Sequence, residues 1–279
     1  MKLAILWVFL NVWIIGVLAN GTWADQIVSL YFLQVCIKPE ASKLPQNDLI
    51  LISTIDGYLI AIDSETGQQK WRFKEGPIIN SPRDALSGLT FIPNPRNGQL
   101  YSLEDGALGK LPFTIPEAVK GSPGRTKNGI LYSGDKKDVW ISINIQTGTK
   151  LEFLPPPAEK FLDDVTDDQC IVHAFIGRTE YHLKIMDSKS ADREWNVSFT
   201  DYSSHLLPHD SGYPLQHFIN DGKVVTVDGL TGRILWKRDF QSIIVNLYLL
   251  KTGGLQLLPS HSVGKKVFDA IIEVGFYFL

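Results

Sequence analysis

The stretch Asp56-Gly57-Tyr58-Leu59-Ile60-Ala61-Ile62-Asp63-Ser64-Glu65-Thr66-Gly67-Gln68-Gln69-Lys70-Trp71 decides the fold, because its frame returns later in the chain. Asp221-Gly222 leads through Val224-Val225-Thr226-Val227 to Asp228, then to Thr231-Gly232 and Trp236. In both copies the acid comes six residues after the first glycine, the second glycine four later, and the tryptophan four after that. Weaker copies lie between. Asn97-Gly98 leads through Leu100-Tyr101-Ser102-Leu103 to Glu104, with Gly109 and Phe113 beyond. Asp138 leads through Trp140-Ile141-Ser142-Ile143 to Asn144 and Thr147-Gly148, and Tyr181 leads through Leu183-Lys184-Ile185-Met186 to Asp187 and Trp195. The anchors Asp63, Glu104, Asn144, Asp187 and Asp228 are 41, 40, 43 and 41 residues apart.

Each piece of the frame has a physical reason. The apolar, β-branched run is a short strand. An acid or Asn followed by Thr-Gly is turn chemistry: the side chain bonds backbone two residues on, and Gly supplies a positive φ. Upstream of each first turn lies another apolar run, at Leu49–Ile52, Leu89–Ile92, Ile130–Tyr132 and Ile171–Phe175. One such period cannot bury its own face, but stacked periods can. The expected fold is mostly β, built of propeller-like, quinoprotein-type blade repeats with few short helices. Ser242–Leu250 is open between strand and helix. Pro155-Pro156-Pro157, the acidic run Asp163-Asp164 to Asp167-Asp168, and Tyr202–Tyr213 read as loops.

With 279 residues and 44% apolar content the chain can bury a sizeable core, as one large β domain or two smaller ones. Its net charge of −3 and lack of a Lys/Arg cluster argue against nucleic acid as a partner. Met1-Lys2 followed by the apolar Leu3–Ala19 has the order of a secretory signal, cleaved or kept as an anchor. The expected organisation is a signal peptide over 1–24, an N-terminal segment over 25–43, a β-repeat domain over 44–260 and a divergent tail over 261–279. In a secretory lumen Asn196-Val197-Ser198 is a glycosylation acceptor. Cys36 and Cys170 are too few for a disulfide framework and are either bridged or free. No later stretch reaches the roughly 20 apolar residues of a membrane span.

No nucleophile elbow, metalloprotease helix, paired Cys-x-x-Cys or phosphate-binding loop occurs in the sequence. His205 and His209 have helical metal-ligand spacing, but Pro208 separates them. The run Ala61-x-Asp63-x-x-x-Gly67-x-x-x-Trp71 resembles the docking motif of quinoprotein propellers, where it locks blades together and does not hold the quinone or calcium. Five periods fall short of the about eight blades such enzymes use. Asp63, Gly67, Trp71, Asp187, Trp195, Asp228, Gly232 and Trp236 are therefore read as structural repeat residues, and neither a cofactor nor a catalytic residue is expected.

More specific blocks sit between the anchors: Leu111-Pro112-Phe113-Thr114-Ile115-Pro116-Glu117, Ser122-Pro123, Gly129-Ile130-Leu131-Tyr132, Asp138-Val139-Trp140, Gly177-Arg178-Thr179-Glu180-Tyr181 and Trp195-Asn196. Together these resemble the luminal domain of the inositol-requiring kinase/endoribonuclease, the sensor of the unfolded-protein response, over roughly Leu44–Gly254. The resemblance implies a non-catalytic module in the endoplasmic-reticulum lumen. Its implied partners are a second copy and higher clusters, the luminal Hsp70 chaperone and unfolded polypeptides. A membrane span, kinase and ribonuclease are implied for the longer family members and do not occur in this chain. Asp138 and Trp140 fall on the family's dimer interface. Two local readings stand beside this: Trp140 aligns with the apolar track of Leu59, Leu100, Leu183 and Val224, and Asp138 with the turn column of Gly57 and Gly222. Cys170 matches a family cysteine, and Gly124 stands where vertebrate members carry another. Alternative readings are the luminal domain of the related translation-arresting stress kinase, a secreted quinoprotein-like enzyme, and a decoy that pairs with a full-length sensor.

Overall fold

The computed structural model describes residues 48–82, 91–104, 107–126, 129–153, 173–188, 190–206, 212–251 and 254–274. All fall within one compact unit, Leu44–Phe161 with Ile171–Leu279. The expected signal peptide and N-terminal segment, Cys36, Cys170, the proline and acidic runs, and His209 lie outside the described residues, as does the His205 side chain.

The described residues form a propeller-like ring of four small sheets with two short helices. The first sheet contains the opening repeat: β1 (Leu49–Thr54), β2 (Tyr58–Asp63) and β3 (Gln69–Lys74). Three later strands complete it, β13 (Ser204–Leu206), β17 (Ile244–Lys251) and β18 (Gly254–Leu257), in the order β13-β18-β17-β1-β2-β3. Leu49 pairs with Leu250 and Leu51 with Tyr248, so the repeat nearest one end is zipped to a strand nearest the other. The Ser242–Leu250 segment is thus largely strand. β1 is buried on both faces: Leu49 and Leu51 enter the main core, Ile50 and Ile52 a second one.

The second sheet holds β4 (Ile79–Asn80), β8 (Gly124–Arg125), β9 (Ile130–Asn144), β10 (Lys150–Phe153), β11 (His173–Asp187) and β12 (Ser190–Tyr202). Its order is β10-β9-β11-β12-β4, with β8 beside β9. The third contains β5 (Phe91–Pro93), β6 (Gln99–Glu104) and β7 (Ala107–Thr114). The fourth runs β16 (Ile234–Asp239), β15 (Lys223–Asp228), β14 (Leu215–Asn220), β19 (Ser260–Ser262).

Five sequence periods therefore make four sheets. The third and fourth periods share one, because each fuses two expected strands into a single 15-residue strand, β9 and β11, paired from His173↔Asn144 to Asp187↔Ile130. No turn interrupts β9 at Asp138, which corrects its assignment to the turn column. In the second period the capped turn also sits elsewhere than the spacing places it. Asn94 Oδ1 accepts from the Arg96 amide at 2.9 Å and Asn94 O from the Gly98 amide at 2.8 Å, whereas Glu104 is the last residue of β6 and pairs with Ala107 of β7.

The turns and tryptophans tie the sheets together. Asp63 Oδ1 accepts from the amides of Glu65 and Thr66 at 3.1 and 2.9 Å; Asp228 does the same for Leu230 and Thr231 at 3.0 and 2.7 Å. Each turn ends on a glycine with positive φ, Gly67 (+66°) and Gly232 (+68°). Trp71 and Trp236 lie within the strands that follow, and each covers another sheet's turn. Trp236 donates to Ser64 O at 2.8 Å with its ring against Gly67; Trp71 donates to Ile145 O at 2.7 Å with its ring against Gly148. Asp187 closes β11 opposite Ser190, and Trp195, 5% exposed, sets its ring 5.2 Å from Phe91 of the third sheet.

Helix α1 (Ile115–Lys120) starts at a capping box, with Glu117 accepting from the Thr114 amide at 2.8 Å and Thr114 Oγ1 from the Glu117 amide at 3.3 Å. Helix α2 (Lys265–Val274) belongs to the tail, whose described residues pack on the fourth sheet: Phe268 and Ile271 are buried against Phe218, Val225 and Val227, and β19 pairs with β14.

Candidate association face

β9 and β11 position the site by changing which face they bury. Opposed residues on paired strands share a face. At one end Val139, Ile141, Ile143, Ala174 and Ile176 point into the core. At the other end the opposite face is buried, through Leu183 and Ile185 with Trp195, Val197 and Phe199 of β12. The phase changes with no bulge between, so the middle of the ribbon has neither face fully covered: residues 135 to 138 are all exposed.

Asp138 and Trp140 stand on this middle stretch, on one face with Lys136, Thr179 and Tyr181. Asp138 is bound from two sides, by Lys136 Nζ at 2.8 Å and by Thr179 Oγ1 at 2.8 Å. Those bonds, Lys136 first, hold its carboxyl below the usual aspartate range, and the same pair raises the Lys136 ammonium. Burial raises the Tyr181 phenol, whose ring stacks on Phe199 at 6.2 Å. Trp140 is half-buried, whereas Leu59, Leu100, Leu183 and Val224 of its aligned track are 0–1% exposed. The aligned column therefore does not carry over: Val139 and Ile141, flanking Trp140, take the core positions.

The edge of β9 completes the site. On the side away from β11, β10 covers Trp140–Ile143 and β8 covers Leu131–Tyr132; Ser122 Oγ accepts from the Gly134 amide at 2.7 Å. Among the described residues Asp135–Val139 have no strand on that side. Such a free edge is a template for another strand.

Lys136, Thr179 and Tyr181 join this face only through the pairing of β9 with β11, which sets Thr179 opposite Asp138 and Tyr181 opposite Lys136; no local sequence pattern marks them. Behind the face, Glu75 accepts from both Lys150 and Arg178, and Arg178 also donates to Glu180 at 2.9 Å. The Glu75 and Arg178 side chains are 4% and 7% exposed, so this cluster pins the first sheet to the second from inside. Gly124 faces Tyr132, and a Cβ there would lie 2.1 Å from its ring, so any larger residue requires Tyr132 to move. Asn196 is exposed on β12. Among the described residues no three His, Cys, Asp or Glu side chains gather as a metal site, and no helix is long and apolar enough to cross a membrane.

The described residues thus make a blade-repeat β domain with a free, charge-bearing strand edge on β9. No family model matches the chain. The kinase/endoribonuclease ire-1 of Caenorhabditis elegans is 43% identical over 226 residues, and human kinase/endoribonuclease IRE2 31% over 228 residues; each alignment covers 80% of this chain and 23% of the relative. The translation initiation factor 2-alpha kinase pek-1 of C. elegans is more distant, 25% identical over 232 residues. The compact lumenal domain of yeast Ire1 has the same fold, with a TM-score of 0.58, 21% identity, and coverage of 81% of this chain and 79% of that one. This chain is a homologue of the inositol-requiring serine/threonine-protein kinase/endoribonucleases over their luminal domain. It spans 23% of the length of these two curated relatives.

Proposed function

We propose that the chain is the sensing part of an unfolded-protein-response receptor, working in the endoplasmic-reticulum lumen and reporting stress by association, without catalysis of its own. The free β9 edge at Asp135–Val139 carries the reading. Antiparallel pairing of two copies about a twofold axis at Lys137 places Lys136 of one opposite Asp138 of the other. One continuous sheet then crosses the dimer, with the charges complementary at its centre. Unfolded polypeptides, or loss of a bound luminal Hsp70 chaperone, shift the population towards this dimer; only a ligand that prefers the dimer does so. The similarity to ire-1 and IRE2, stronger than to pek-1, favours the splicing branch of the response over translation arrest.

Sedimentation equilibrium of the full chain tests the edge. Asp138→Lys and Trp140→Ala are expected to shift it to monomer, and Lys136→Asp added to Asp138→Lys to restore the dimer. An unchanged dimer in both single variants overturns the assignment.

A further inference from the structure

The first sheet also ends in a free edge. β3 closes the order β13-β18-β17-β1-β2-β3 and pairs with β2 alone among the described residues. The Glu75 amide donates to Gly57 O at 2.7 Å, just past the rungs Leu59↔Phe73 and Tyr58↔Lys74. Backbone groups of successive strand residues turn to opposite sides. The amides and carbonyls of Trp71 and Phe73 therefore face β2, and those of Arg72 and Lys74 face outward. Side chains alternate as well. Trp71 and Phe73 pack into the main core, while Arg72 and Lys74 emerge on the Tyr58 side and are exposed. The Tyr58 ring gathers their charges: Arg72 Cζ and Lys74 Nζ each lie 5.3 Å from its centroid. The acids nearest in sequence are engaged elsewhere. Asp56 is bound by Thr54 and Ser242, Asp63 by its own turn and by Lys70 at 3.7 Å, and Glu75 by Lys150 and Arg178.

We propose that β3 is a docking edge for an acidic, extended segment of a partner protein, added antiparallel with Asp or Glu opposite both Arg72 and Lys74. The spacing of the acids follows from the geometry. Residues opposite Arg72 and Lys74 are two apart in the incoming strand, exchange backbone hydrogen bonds with them, and place their side chains on the Tyr58 face. Main-chain bonds supply the affinity, and the two cations select the sequence. Charges on an edge strand turn most strands away, because like charges directly opposite repel and neutral side chains leave the cations unmatched. An acid-x-acid strand is the class for which the same charges attract. The partner chemistry thus differs from that of the β9 edge, where Lys136 and Asp138 of a second copy supply both signs.

Fluorescence anisotropy of a dye-labelled Ser-Thr-Glu-Val-Glu-Thr-Ser peptide, titrated with the full chain, tests the edge. Saturable binding that weakens with added salt is expected, and none for Ser-Thr-Lys-Val-Lys-Thr-Ser. The acidic peptide N-methylated at both glutamates loses its amide bonds to the Arg72 and Lys74 carbonyls and should bind about tenfold more weakly or worse. These three arms use the native chain and do not depend on any variant folding. Arg72→Glu/Lys74→Glu should reverse the preference, taking the lysine peptide in place of the acidic one. Arg72→Gln/Lys74→Gln should bind neither while keeping the native near-ultraviolet circular dichroism. No binding of the acidic peptide, or equal binding of the lysine peptide, overturns the proposal. Equal affinity for the N-methylated peptide overturns the strand pairing, and an unchanged preference in the charge-reversed variant overturns the assignment to Arg72 and Lys74.

Discussion

Gly67 shows how much one atom matters. Its φ of +66° suits glycine, and a Cβ there would meet the Trp236 ring at 2.6 Å. Gly67→Ala is expected to cost about 2–4 kcal/mol, combining left-handed strain with displacement of Trp236. Gly212 has a nearly identical φ of +65°, but no atom of the described residues lies within 4 Å of a Cβ built there, so Gly212→Ala should cost only about 1–2 kcal/mol. Urea unfolding of the two variants separates the steric part from the conformational part. His217 makes a second prediction. It is fully buried, bonded to Tyr213 and Thr226 at 2.8 Å each, and burial, aided by nearby His261, pushes its imidazole down to about 3. The folded value lies below the ordinary 6.5, so the unfolded chain takes up the proton first. Stability is therefore full above about pH 6.5 and falls by about 1.4 kcal/mol per pH unit as pH drops towards 3. Subtracting the unfolding free energies of His217→Gln from those of the native chain at each pH should isolate that slope, since the variant lacks it.

The strands show what repeats conceal. β9 and β11 each join two stretches that the periodicity treats as separate strands, and the join creates both the phase change and the exposed middle. The segment Asp135-Lys136-Lys137-Asp138 looks like a turn because it is charged and sits in a turn column; pairing along all 15 residues with β11 keeps it extended. The tail behaves similarly. Phe268, 3% exposed, anchors α2 beneath β14 and β15. Phe268→Ala should lose about 3–5 kcal/mol. Amide exchange in β14 should rise along with it, because β19 and α2 cover that strand together.

Across the whole ring, contacts between sheets matter more than any sheet alone. Glu75, on the loop after β3, receives Lys150 and Arg178 from the second sheet. Glu75→Gln takes one carboxylate from the buried Arg178, which keeps its bond to Glu180, and should cost roughly 3 kcal/mol in chemical denaturation. Replacing Glu75 and Arg178 together by leucines should recover much of that loss, since neither charge is then stranded. These contacts were hardly legible beforehand. The apolar runs, the capped turns at Asp63 and Asp228, and the tryptophans could be read because each follows from local chemistry repeated at a steady interval. The repeat sets Asp138 and Trp140 two residues apart on one strand but does not fix which way either side chain faces. Strand alternation fixes that only once the buried face is known, and here the buried face changes along a single strand.

Local propensity and period therefore dictate a mostly β chain of stacked units, with acid-capped glycine turns and aromatic residues just inside the strands that follow. Those features depend on neighbours within a few residues, which any copy of the sequence carries with it. The number of sheets, the partner turn beneath each tryptophan, the exposed middle of β9 and the closure of β1 on β17 depend on residues far apart meeting. Such contacts form only when the packed interior selects one pairing from the many that short apolar strands permit.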